Sequence, residues 1–408
     1  MVRYLSRQSG CLGRTFALPV RLFAILLAMS MIVPLTGCAG QVKTGVIIAN
    51  DGIGAIYSDG KPSIGPTVEK ETVTDVDIST QTRLKINIQK GSVKITRGSK
   101  EQLQLIEKTS LKGPASRDRL NELLRNINSN VETTFMSVSI SHKAYLKADV
   151  NADANADANT DAQSDVNADT ATAAKEEEEI KPLYRCMVDM ELVVPETITT
   201  IDVNAEDALI TLSGFEGMSS VDLTVERGLI RVDQCSSNNI NVSVDNGDVW
   251  MENITGYSTY DCGRGDIAIT GAKGAVDLKS LAAEAVIERA EGKLDCDISS
   301  GSIKIKKSIL ESGTVLYAST GTISADLNGI DDIGTYTIKS SAGDIMVYLP
   351  KKTGYSLIAK TTGGHIKNNL EPIAETLETG PDSEVYGDVN GGGASVDLYA
   401  DMGNIILN

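Results

Sequence analysis

The chain has 408 residues, 4% aromatics and a formal net charge of −17. An acidic surface argues against nucleic acid as a partner and against direct adhesion to anionic lipid. The two histidines, His142 and His365, lie outside any metal-ligand spacing, and no nucleophile elbow, Walker A run or Rossmann fingerprint occurs, so no metal, cofactor or catalytic set is expected.

Residues 1–37 read as a secretory signal. Arg3, Arg7, Arg14 and Arg21 make a basic start without acids, so the rest of the chain carries −21. The apolar run Leu22–Val33 is too short to span a bilayer comfortably. It leads into Leu35-Thr36-Gly37-Cys38, which resembles the bacterial lipobox. That resemblance implies that Cys38 is the lipidated first residue of the exported chain. Stable anchoring needs more than one acyl chain, and bacterial lipoproteins carry at least two. The expected place is the outer face of the cell membrane, or the outer membrane if there is one.

Residues 38–82 are rich in Gly, Ser, Thr and Asp, with Pro62 and Pro66, and read as a flexible tether. Residues 83–147 hold N-terminal strands and one helix. Arg83–Ile88 alternates, and Gly91-Ser92-Val93-Lys94-Ile95 follows. Leu103, Leu105 and Ile106 mark another strand. Pro114 and Ser116 open a helix near 116–129, with Leu120, Leu123, Leu124 and Ile127 on one face. It is expected to cap the N-terminal end of the fold, because an open ladder end recruits other chains. Phe135, Val138 and Ile140 form a further strand. Residues 148–181 are an Asn/Asp/Ala-rich and Glu-rich insertion that cannot bury apolar surface, so disorder is expected. It lacks the glycine and distal bidentate Glu of a calcium loop.

Residues 182–408 carry the repeat. A strand ends at Leu192-Val193-Val194-Pro195. Then a glycine, one usually polar residue and two alternating apolar residues return at Gly228, Gly247, Gly265, Gly301, Gly321, Gly343 and Gly403. The first spacings are 19, 18, 36, 20 and 22. The 36 is two periods with a degenerate copy at Ala282–Val286. An alternating run precedes several of these glycines, as Val221, Leu223 and Val225 do before Gly228. Each repeat is therefore strand, glycine corner, strand and second turn. Stacked, such repeats make an all-β parallel β-solenoid, right-handed as parallel crossovers usually are, with about eight to ten rungs. An antiparallel sandwich is the rival, but it would not require glycine at such constant offsets. The stretch 371–385 reads as a surface excursion between rungs.

Residues 83–147 and 182–408 together resemble the putative-adhesin domain family of bacterial exported proteins. The carriers are Gly91-Ser92-Val93, the helix near 116–129, Leu192-Val193-Val194-Pro195 and the glycine repeats. The resemblance implies the solenoid fold and a non-catalytic protein, since no catalytic residue set belongs to that family.

Asp248, Asp266 and Asp344 follow their glycines in equivalent positions. They could form a carboxylate column of a glycan-active enzyme. Ser302, Thr322 and Asn404 fill the same slot, which favours turn stabilisation instead. Cys262 and Cys296 hold core offsets two rungs apart. Two rungs are ~9.6 Å of stacking, beyond disulfide reach, so both are expected as buried free thiols. Cys186 and Cys235 are left unplaced. Both histidines read as solvated. The expected function is a lipid-anchored surface module that binds or adheres without catalysis. Its ligand would be a glycan or cell-wall polymer. The alternative is an accessory or sensory envelope lipoprotein with a membrane-protein partner.

Overall fold

The computed structural model describes residues 65–99, 101–142, 185–370, 375–379 and 382–408. The signal region, Cys38, residues 38–64 of the expected tether and the 148–181 insertion lie outside the described residues. The elements begin with β1 (Thr67–Asp77), β2 (Arg83–Arg97), β3 (Gln102–Lys112), α1 (Arg117–Arg125), β4 (Asn130–Thr133), β5 (Ser137–His142) and β6 (Arg185–Val194). Then comes β7 (Thr200–Thr270), followed by β8 (Val276–Glu288), β9 (Glu291–Gly292), β10 (Leu294–Leu310), β11 (Thr314–Thr320) and β12 (Ile323–Ile330). The chain closes with β13 (Thr335–Ala342), β14 (Ile345–Tyr348), β15 (Tyr355–Thr361), β16 (Ile366–Asn368), β17 (Glu375–Thr379), β18 (Asp382–Val389), β19 (Ala394–Met402) and β20 (Ile405–Leu407).

The fold is an all-β solenoid. Strands of successive coils pair in parallel, as β7 with β8, β8 with β10 and β10 with β11. Each coil contributes one strand to a first ladder, turns at a corner residue, and contributes a second strand to a second ladder. A narrow third side closes the coil, with the bridges Thr255↔Lys273↔Glu291 and the pairs Ile309↔Glu291 and Leu310↔Gly292. The uninterrupted β7 winds through four coils, with corners at Ala208, Gly228, Gly247 and Gly265.

Alternation decides which side chains fill the tube. Val221, Leu223, Val225, Ile230 and Val232 are all at most 1% exposed, and the same offsets are buried in the later coils through that of Gly403, while Ile366 and Asn368 of the coil beyond it are partly buried. Each such side chain contributes roughly 1.5–3 kcal/mol of burial. One continuous core results. Cys235, Cys262 and Cys296 pack in it as free thiols.

The coils do not stack in chain order at either end. In space the order is β5 with β6, β2, the four coils of β7, β8, β10, β11 with β12, β13 with β14, β19 with β20, and β15 with β16. That makes twelve coils among the described residues, more than the sequence suggests. The first coil of the chain, β2, lies second in the stack. The last, β19 with β20, lies second from the other end. The first and last coils of the chain are therefore each held between two others.

Antiparallel strands cover the two tips. At the N-terminal tip β3 pairs with β6, β1 pairs with β3, and β4 pairs with β5. At the other tip β18 pairs with β15 and β17 with β18. Two expectations need correction here. The tether does not run to residue 82, because Thr67–Asp77 is held along all eleven residues by β3. The stretch 371–385 is not a plain excursion either, because it holds β17 and the start of β18 over the C-terminal edge.

Helix α1 is shorter than expected. Ser116 is its N-cap and accepts from the Arg119 amide at 3.3 Å. Leu120, Leu124 and Ile127 form a separate small core with Val68, Leu111 and Cys186 from β1, β3 and β6, at the N-terminal tip. Phe135, expected in a strand, lies outside β5 and is 78% exposed.

Candidate binding faces

The corner column fixes the geometry of everything outside it. In stacking order it runs Val188, Gly91, Ala208, Gly228, Gly247, Gly265, Ala283, Gly301, Gly321, Gly343, Gly403 and Gly364. A Cβ on Gly265 would lie 1.8 Å from the carbonyl oxygen of Gly247, and one on Gly321 1.5 Å from that of Gly301. No side chain fits there, and the φ of +143° at Gly265 is itself a glycine conformation. The degenerate copy is real as a coil, with Ala283 in the corner and Ala285 and Ile287 in the core.

The slot after the corner is where Asp248, Asp266 and Asp344 stand. Asp248 and Asp266 are neighbours, but Glu284, Ser302 and Thr322 separate them from Asp344. The slot side chains stitch coil to coil. Asp248 Oδ1 accepts from the Asp266 amide at 2.9 Å, and Asp344 Oδ1 from the Asn404 amide at 2.7 Å. Asn404 Oδ1 in turn accepts from the His365 amide at 3.1 Å. These are turn-stabilising bonds. Burial, then the charges of Asp248 and Glu284, push the Asp266 carboxyl above its ordinary range.

A second corner escaped sequence reading. Gln234, Asn253, Arg289 and Lys307 all have φ between 50° and 55°, in line with Gly214 and Gly271. These residues share no type, so no motif marks them. Stacked Gly256, Gly274 and Gly292 make a third corner.

The first ladder carries a polar row on its outer face. Asn241 Nδ2 donates to Asp222 Oδ1 at 2.5 Å, and Thr259 Oγ1 donates to Asn241 Oδ1 at 2.7 Å. Asp277 continues the row, and Thr224, Ser243, Asp261 and Lys279 run beside it. Together they line a shallow open groove of about 310 Å³ across four coils. The second ladder carries a row of different character. Three residues after their corners stand Arg231, Trp250, Ala268, Val286 and Lys304. Trp250 is 39% exposed.

At the N-terminal tip three residues converge that sequence reading kept apart. His142 is only 2% exposed, which corrects the expectation of a solvated side chain. Its Nδ1 lies 3.4 Å from Glu107 Oε1 and 3.2 Å from Ser129 Oγ, and its Nε2 lies 3.9 Å from Cys186 Sγ. Thr109 Oγ1 donates to Glu107 Oε1 at 2.8 Å. Thiol, imidazole and carboxylate in line have the order of a nucleophilic triad. The chemistry differs. Burial, then the charge of Glu107, push the Cys186 thiol up to about 12, and the thiol is 2% exposed. A sealed, protonated sulfur neither attacks nor meets substrate, so the cluster is structural. His365, by contrast, is exposed.

A similar case is Asp207, a 3%-exposed carboxylate beside the corner column. It is clamped by Lys90 from the coil below and by Arg227 from the coil above. Among the described residues no cluster of His, Cys, Asp and Glu is placed to hold a metal, and no helix is long and apolar enough to cross a membrane.

Comparison with solved structures finds a putative cell adhesion protein from Clostridium sporogenes ATCC 15579. It is 14% identical with a TM-score of 0.19, over 83% of this chain and 99% of that one. A putative adhesin from Bacteroides fragilis NCTC 9343 is 10% identical with a TM-score of 0.26, over 83% and 97%. At such scores neither likeness bears on fold or function. No curated protein matches. The model of the Toastrack DUF4097 family matches residues 187–408, more than half of the chain, and the chain belongs to that family.

Proposed function

We propose that the chain is a non-catalytic binding module, anchored at the cell surface through Cys38, whose groove on the first ladder holds an extended polar polymer. The observation that carries this reading is the row Asp222–Asn241–Thr259, bonded across three coils in a groove open to solvent over four. A row of fixed donors and acceptors at ~4.8 Å intervals matches a repeating ligand better than a compact one. Glycan and cell-wall polymers have that form. The Leu35–Cys38 quartet supports the anchor.

The test uses full-length protein in detergent micelles against purified cell-wall polymers and a glycan array. Saturable binding to one polymer class is expected, weakened at least about tenfold by the exposed change Asn241→Ala. A clean failure across the array would sink the polymer reading and favour a membrane-protein partner. Fractionation tests the anchor separately. Cys38→Ser is expected to move the protein from the membrane pellet to the soluble fraction, and retention in the pellet would refute lipidation at that residue.

A further inference from the structure

The outer face of the second ladder holds an aromatic feature that the groove does not use. Trp250 is the one tryptophan of the chain, and it stands on a flat strand face instead of in the core. The next coils place Ala268 and then Val286 at its level. A small neighbour leaves one side of the indole uncovered. Leu229, two residues before Arg231 on the coil below, is covered at 9% exposure and adds nothing to the open face. The stripe is bounded by Arg231 on one side and Lys304 on the other, and Trp250 to Val286 spans ~10 Å of stacking.

Carboxylates flank this stripe on both sides. On the corner side run Asp248, Asp266 and Glu284, in three successive coils. On the far side, two residues after Trp250 and Val286, stand Glu252 and Glu288. Arg289 pairs with Glu288. Glu252 and Glu284 are exposed and hold no ion pair among the described residues. The chain as a whole carries −17. An open indole face between two acidic rows suits a ligand with an apolar ring face and positive groups at its edge. Indole also attracts ammonium directly. A neutral sugar would use the ring and give the acids hydroxyl hydrogen bonds, but would leave their charge uncompensated. A polyanion would be repelled.

We propose that this stripe is a subsite for an amino-bearing glycan. A sugar ring lies on Trp250, and ammonium groups sit against the carboxylates on either side. The proposal rests on the binding-module reading above and names the ligand class, on a second face of the same solenoid.

The lone tryptophan makes the test direct. Full-length protein in detergent is titrated with glucosamine oligomers, with N-acetylglucosamine oligomers of equal length, and with oligolysine, while indole emission is followed. The glucosamine series is expected to change the emission saturably. Added salt should weaken it, since exposed charge pairs are screened. Calorimetry should show Trp250→Ala weakening that binding at least about tenfold, and the exposed change Glu252→Gln weakening it about threefold, with far-UV spectra unchanged in both. An equal response to the N-acetylated series would overturn the charge argument. Tighter binding of oligolysine would overturn the glycan class in favour of a cationic peptide. Glycan binding seen by calorimetry without any change in emission would overturn the Trp250 subsite while leaving the binding-module reading intact. Silence of all three ligands in both readouts would overturn the subsite proposal alone, because the groove is tested with other polymers.

Discussion

Gly265→Ala is expected to destabilise the solenoid by about 4 kcal/mol or more, at the upper end of single substitutions. The new Cβ would sit 1.8 Å from the Gly247 carbonyl oxygen and 2.5 Å from its carbon. Both are backbone atoms of the coil below, so relief requires the ladder itself to shift. The φ of +143° adds strain that a side chain cannot relax. The control lies one coil away. Ala283 fills the same corner, and Ala283→Gly is expected to cost only about 1 kcal/mol of chain entropy. Denaturant midpoints followed by far-UV circular dichroism compare the two. Hydrogen exchange then tells whether the loss spreads along the stack, as nearest-neighbour coupling predicts. Equal, small effects from both changes would mean that corner packing does not limit this fold.

The second large effect is expected at the N-terminal tip. His142→Ala leaves the Glu107 carboxylate buried at 5% exposure without its imidazole hydrogen-bond partner, at a cost of roughly 2–3 kcal/mol. Its dependence on pH follows from the same geometry. Burial alone would raise the Glu107 carboxyl. Hydrogen bonds from His142, Ser129 and Thr109 outweigh it and hold the group at about 2, against an ordinary 4.5. A carboxyl held below its unfolded value stabilises the fold above that value and loses the contribution as pH falls. The window is therefore pH 4.5 down to 2, and the size is roughly 3 kcal/mol. Stability measured at pH 6 and at pH 3 should fall more in the native chain than in Glu107→Gln. Parallel losses in the two proteins would show that Glu107 is not the group that titrates.

Much of this fold was legible in order along the chain, and the reasons are local. A glycine whose Cβ would strike the neighbouring coil resists substitution, so Gly228, Gly247, Gly265, Gly301, Gly321 and Gly343 print the period directly. Alternation around them prints the core, which also told that Cys262 and Cys296 are buried thiols too far apart to bond. The second corner left no print, because Gln234, Asn253, Arg289 and Lys307 reach positive φ with unrelated side chains. The end strands β1, β17 and β18 were hidden in stretches whose polar composition reads as loop. β1 and β17 are edge strands and β18 lies between β17 and β15, and strands at a sheet edge need pairing more than they need apolar surface.

The binding faces divide in the same way. That Asp248, Asp266 and Asp344 share a slot was visible in the spacing. That the slot carboxylates of Asp248 and Asp344 accept backbone amides of the next coil was not, since hydrogen-bond direction depends on the height of one coil above another. Trp250 was visible only as one aromatic residue among strand formers. Its place between Arg231 and Ala268, with acids on both sides, depends on the register of three coils.

The sequence by itself determined the period, the inward face and the corner, because each is a steric demand repeated within 18 to 22 residues. Tertiary structure alone decided the order of the terminal coils. Segments β2 and β19–β20 stack second from the tips, although chain order would place them at the ends. Parallel pairing recognises any coil of matching corner and alternation, so chain order does not fix neighbours. Tertiary structure alone also brought Glu107, His142 and Cys186 together. They belong to three different strands, and their meeting depends on the antiparallel pairing of β3 with β6 at the tip.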